Sequence, residues 1–129
     1  MNLNKKILVI GIVILIGIFL FFTFFKSNNQ EKVQLTGNVK EFTIKAFQFG
    51  YDPSIIRVNL GDKVKITAFS EDVSHGLNIP DFGVNMFLSD DSTPQTVEFI
   101  ANKKGTFTFY CSVFCGSGHS SMKGELIVS

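Results

Sequence analysis

Tryptophan is absent from this chain, and histidine and cysteine occur only twice each. Methionine occurs twice beyond the initiator, at Met86 and Met122. Formal net charge is only +1 at pH 7, so nothing points to nucleic acid as a partner. From Gly37 onward eight basic and ten acidic residues leave −2, too mild for strong electrostatic steering. Internal repeats and amphipathic helical stretches are missing, as are an acid–base pair and a substrate pocket. The chain alone is therefore expected to carry out no bond chemistry.

What is present begins with a long apolar run. Ile7 to Phe25 is nineteen residues without a charge, and Thr23 is its only polar member. As a helix it spans about 28 Å, close to the hydrocarbon thickness of a bilayer. Its exit, Phe24-Phe25-Lys26-Ser27-Asn28-Asn29, offers no small-residue cleavage pattern, so an uncleaved membrane anchor is expected over 1–26. No cysteine follows the run, which excludes lipid attachment there. Lys5 and Lys6 precede the run and favour a cytoplasmic N-terminus, a bias weakened by Lys26 and Lys32 beyond it. The rest of the chain is then expected in the periplasm or outside the cell. Residues 27–38 are polar and aperiodic and read as a linker.

Residues 39–129 read as strands with turn punctuation. Phe42, Ile44 and Ala46 alternate with polar residues, as do Ile56, Val58 and Leu60, then Val64, Ile66 and Ala68. Tyr51-Asp52-Pro53-Ser54 is a turn signal. Leu77–Ile79 and Val84–Leu88 are short strands, and Val97 and Phe99 lead into another turn. Phe107 and Phe109 alternate with Thr106, Thr108 and Tyr110, and Gly124–Val128 closes the set. Short strands at regular spacing predict an all-β fold, an antiparallel sandwich. Ten phenylalanines outside the anchor supply much of the apolar mass for a modest core.

The chemistry sits between the last two of these strands. Cys111, Cys115, His119 and Met122 stand as C-x3-C-x3-H-x2-M. Thiolate, imidazole and thioether are soft and borderline donors that select copper over magnesium or calcium. A mononuclear blue-copper site takes one Cys, so the second thiolate suggests two metals sharing two sulfurs. Gly116 and Gly118 allow the backbone to turn tightly. Zinc on Cys111, Cys115, His119 and His75 is an alternative, as is a Cys111–Cys115 disulfide, though neither gives Met122 a role. Met86 reads as core or pocket wall.

The stretch from Cys111 to Met122 resembles the binuclear copper (CuA) loop of cytochrome c oxidase subunit II, C-S-x-x-C-G-x-x-H-x-x-M, at every fixed position. Asp72-Val73-Ser74-His75-Gly76 resembles the family's upstream histidine motif. Phe47-Gln48-Phe49-Gly50-Tyr51-Asp52-Pro53 is similar to a segment of subunit II in single-helix B-type oxidases. The resemblance covers about Val39 to Ser129 and implies a cupredoxin-like Greek-key sandwich or barrel. It implies two copper ions bridged by Cys111 and Cys115. His75 and His119 would each bind one ion, and Met122 and the Val113 carbonyl would be weak ligands. It further implies an electron-transfer role beside haem–copper oxidase subunit I, with a small cytochrome c or cupredoxin as donor. A free-standing membrane-anchored carrier or copper-handling protein is the alternative, and the copper domain of nitrous oxide reductase is a third reading. Val113 stands where many members carry a glutamate that also serves an interface magnesium, and no tryptophan is available at the electron entrance.

Overall fold

The structure, a computed structural model, describes residues 2–25 and 33–129. Its contacts divide the chain into 1–32 and 33–129.

In the first unit, α1 runs over Leu3–Phe25. It starts four residues before the apolar run and takes in Lys5 and Lys6. Among the described residues it is the one helix long and apolar enough to cross a membrane, with Leu3–Phe22 as the candidate span. Residues 27–32 of the expected linker lie outside the described residues.

The second unit holds nine strands: β1 Val39–Phe47, β2 Gly50–Asp52, β3 Ile55–Val58, β4 Lys63–Ser70, β5 His75–Ile79, β6 Val84–Leu88, β7 Gln95–Ile100, β8 Gly105–Tyr110 and β9 Lys123–Val128. One sheet has the order β2-β1-β4-β7 and the other β3-β9-β8-β5-β6. Period-2 alternation builds both. In β4, Val64, Ile66, Ala68 and Ser70 point inward while Lys63, Lys65 and Thr67 face outward. The inner faces meet in one core, where Ile44, Ile66, Leu77, Ile79, Leu88, Phe109 and Leu126 are fully buried. Phe82 closes one end, its ring centroid 4.9 Å from Phe107 and 5.0 Å from Phe99.

The sandwich is as expected, but it is not wholly antiparallel. β1 pairs with β4 in parallel over eight register positions, and β3 pairs with β9 in parallel. The chain crosses between the sheets after β2 and returns at β4 running with β1. Alternation has the same period in either direction, so the pattern could not distinguish the two. The turn expected over Tyr51–Ser54 is present but shorter, a bend at Pro53–Ser54 between β2 and β3. Tyr51 and Asp52 belong to β2, and the reversal from β1 to β2 falls at Gln48–Phe49, whose peptide bond is cis, as is Asp52–Pro53.

Residues 33–38 have no regular structure, yet Thr36 is fastened to the sandwich. Its N–H donates to the Gly61 carbonyl at 3.2 Å and its hydroxyl to Asp62 Oδ1 at 2.8 Å. On the outer face of the first sheet, Lys45 pairs with Glu71, Lys65 with Glu41 and Lys63 with Glu98. These exposed pairs keep that face solvated and contribute little to stability.

Candidate metal centre

Three connections meet at one end of the sandwich. They are the β1–β2 turn at Gln48–Phe49, the β4–β5 loop ending at His75, and the β8–β9 loop over 111–122. β8 delivers Cys111 and β9 receives the chain after Met122, with the Cys111 N–H donating to the Met122 carbonyl at 3.2 Å.

His75 opens β5 and is fully buried. Its Nε2 lies 2.7 Å from Asp72 Oδ1, which leaves Nδ1 directed at Cys111 Sγ, 3.8 Å away. A carboxylate on the far nitrogen is the usual way to fix the tautomer of a metal-binding imidazole. Asp72 is held in turn. Its Oδ2 accepts the Gln48 N–H at 2.8 Å and its Oδ1 the Val73 N–H at 2.7 Å. Burial works to raise the Asp72 carboxyl, but bonds from Gln48, His75 and Val73 outweigh it and hold the group below its ordinary range.

The two sulfurs lie 3.7 Å apart, far beyond the roughly 2.05 Å of a disulfide, and both cysteines are free and buried. Each has its own partners. Cys111 Sγ lies 2.9 Å from the Val113 carbonyl and accepts the Gly76 N–H at 3.4 Å. Cys115 Sγ lies 3.7 Å from His119 Nδ1 and 3.8 Å from Met122 Sδ. All six expected residues are thus brought together, and the ligand atoms of His75, Cys111 and Cys115 lie within 4.8 Å of one another. Met86 is buried in the core. Burial, and then the neighbouring Cys111, push the Cys115 thiol up to about 11. A soft cation binding at Cys115 would have to displace that proton.

The two loop glycines do different work. Gly116 has φ +134, a conformation that side chains rarely adopt. Gly118 has an ordinary φ but no room, since a Cβ there would meet Phe49 Cδ2 at 2.4 Å. Phe49 therefore lies against the ligand loop. Beside it, Gln48 Nε2 donates to the Cys115 carbonyl at 2.5 Å. Tyr51 donates its hydroxyl to the Gly76 carbonyl at 2.6 Å, and burial next to the two cysteines drives its phenol far above its ordinary range. Gln48 and Tyr51 were not singled out from the sequence as site residues; the signal was the Phe47–Pro53 resemblance, which names a segment but no contact.

Access is uneven. His75 is sealed, while His119 is half-buried beside Phe114, whose side chain is 78% exposed and whose ring lies 5.7 Å from the imidazole. A cavity of about 340 Å³ between Thr108, Tyr110 and Lys123 reaches Cys111, His119 and Met122.

The cupredoxin-like domain family matches residues 13–128. Cytochrome c oxidase subunit 2 of Thermus thermophilus is 30% identical over 99 residues, 77% of this chain and 73% of that protein. The nitrous-oxide reductase of Cupriavidus necator is 32% identical over 106 residues, 81% of this chain, but the chain spans only 15% of that enzyme's length. Among solved structures, a chain of a haem–copper terminal oxidase dimer superposes with a TM-score of 0.65 at 22% identity, covering 99% of this chain and 100% of that one. This chain belongs to the cupredoxin-like domain family and, within it, to the cytochrome c oxidase subunit 2 family.

Proposed function

We propose that the chain carries a binuclear copper (CuA) centre and serves as the subunit through which electrons enter a haem–copper terminal oxidase. Cys111 and Cys115 would bridge two ions, His75 and His119 would each hold one, and Met122 and the Val113 carbonyl would be weak ligands. The observation that carries this reading is the pairing of two free thiols 3.7 Å apart, each facing its own imidazole Nδ1. A structural zinc site would use the same four residues but would give no role to the Met122 sulfur set against Cys115.

Two copper ions so held would supply a one-electron relay. The chain's residues make such a relay fast by limiting what moves. Asp72 fixes the His75 ring, the Gly76 N–H meets the charge on Cys111, and burial of Cys111, Cys115 and Met122 limits the water that reaches the sulfurs. His119 is the ligand with access to solvent, so the donor, a small cytochrome c or cupredoxin, would approach on that side. Subunit I would receive the electron. The helix over Leu3–Phe25 would anchor the chain with its N-terminus in the cytoplasm and the copper domain in the periplasm or outside the cell.

The test is metal analysis and spectroscopy of the full chain in detergent, loaded with copper under reductant. Two coppers per chain and a purple, valence-delocalised spectrum are expected. One copper, or retention of zinc alone, would sink the binuclear reading. Co-purification with a multi-helix haem protein from the native membrane separates the oxidase subunit from the free-standing carrier.

A further inference from the structure

We propose that Gln48 is a positioning residue that couples the two ligand loops, so that each holds the other in place before any metal arrives. The residue faces both loops with different groups. Its backbone N–H donates to Asp72 Oδ2 at 2.8 Å, and the other oxygen of that carboxylate holds the His75 ring at 2.7 Å. Its side-chain amide donates to the Cys115 carbonyl at 2.5 Å. A path of three hydrogen bonds thus runs from the His75 imidazole through Asp72 and residue 48 to the backbone of the second cysteine. The two ligand loops are far apart in sequence, and the strand before Gln48 is clamped on both sides by β2 and β4. Gln48 sits at the end of that strand, at a sharp reversal that leaves it little freedom. The Phe49 ring next to it packs against Gly118, which seats the turn on the cysteine loop a second time.

The side chain of Gln48 is itself exposed, so its contribution to global stability is small. Its effect is local: with the amide donor gone, the Cys115 segment and the Asp72–His75 segment lose their common fixed point. Gln48→Met keeps the length of the side chain and removes the donor. Asp72→Asn weakens the other arm of the path.

The experiment is amide hydrogen exchange, followed by mass spectrometry, on the metal-free full chain in detergent. Wild type, Gln48→Met, Asp72→Asn and the double variant are compared. Gln48→Met should speed exchange about 3- to 10-fold in both segments, 72–76 and 115–122, the loss expected from one partly exposed hydrogen bond. The thermal midpoint should stay near that of wild type. The double variant should be less affected than the product of the two single effects, which is the signature of coupling. Acceleration confined to 115–122, no acceleration, or effects that multiply would overturn the proposal. A second arm rests on the copper reading: copper-loaded Gln48→Met should lose metal to a chelator about 3- to 10-fold faster than wild type, and an unchanged rate counts against the proposal. A wild-type chain that never takes up two coppers overturns the copper reading alone, because the exchange comparison is made without metal.

Discussion

Val113 meets the site through its backbone, since it is the main-chain oxygen that lies 2.9 Å from Cys111 Sγ. Side-chain identity at 113 should therefore matter little. Val113→Ala and Val113→Glu are both expected to keep full copper content and the same visible spectrum, and a colourless but folded Val113→Ala would remove the carbonyl from the ligand set. Met122 is the opposite case, because on the proposed reading its sulfur would be the donor atom, and it is fully buried against Cys115. Met122→Leu preserves volume and removes the donor. It should retain copper and shift the reduction potential, since weak axial ligands tune potential more than they hold metal. Voltammetry and copper analysis on one sample check both halves. The Cys115 thiol supplies a pH test. Its pKa rises from an ordinary 9.0 to about 11 in the folded chain, so the folded state binds the proton more tightly than the unfolded one. The metal-free chain should keep this stability below pH 9 and lose it as pH climbs toward 11, while loading with copper should abolish the effect. Denaturant midpoints at pH 8, 9.5 and 11, with and without copper, decide it. At this scale the residues that the structure gathers were legible, because donors with unusual chemistry are rare. His75 had one companion histidine in the whole chain, and Met122 one companion methionine beyond the initiator. Gln48 and Tyr51 were not legible in the same way, because amide and phenol groups have many ordinary uses and only the cross-loop distances single them out.

The cysteine loop works as an element through its length and its fit against the β1–β2 turn. Three residues separate the sulfurs and set where the sulfurs and the Val113 carbonyl point. One glycine inserted after Val113 should abolish the binuclear spectrum although every donor survives, because a site loosened by about 1 Å commonly fails. Gly118→Ala probes the fit. Its Cβ would strike the Phe49 ring, and overpacking of this kind costs about 1–3 kcal/mol. A lower melting point together with an altered copper spectrum is expected, and an unchanged pair of readings would show that the turn yields freely. Strand positions could be read from alternation, as in β4, where Val64, Ile66 and Ala68 declare the buried face. Strand direction could not, and the parallel pairings of β1 with β4 and β3 with β9 depend on long crossings that leave no local mark. Tyr51 was misplaced for a related reason. Its neighbours Asp52 and Pro53 announce a turn, but burial of its ring 5.2 Å from Phe109 draws it into β2.

For the whole molecule, residues 33–129 carry their own core and the entire candidate centre. Expressed alone they should fold and take up copper as the full chain does. The point of truncation matters. A fragment beginning at Gly37 loses the Thr36 bonds to Gly61 and Asp62. Losing roughly 1 kcal/mol of hydrogen bonding should lower its melting point by about 4–8 °C relative to a fragment beginning at Val33. Equal melting points would show that the Thr36 contacts are dispensable.

The strand at which this domain begins has a mechanical consequence. β1 lies between β2 and β4, with eight register positions on the β4 side running in parallel. A pull arriving through residues 33–38 first meets the Thr36 bonds to Gly61 and Asp62, and directed along β1 it would then load that ladder in shear. Bonds in shear share force and yield together, whereas a strand at a sheet edge pulled sideways unzips one bond at a time. The far end of β1, about nine residues or roughly 30 Å on, is the turn that braces both ligand loops. Tension on the N-terminal side would therefore be absorbed along β1 before it reached the sulfurs, and the centre would keep its geometry while the tether is pulled.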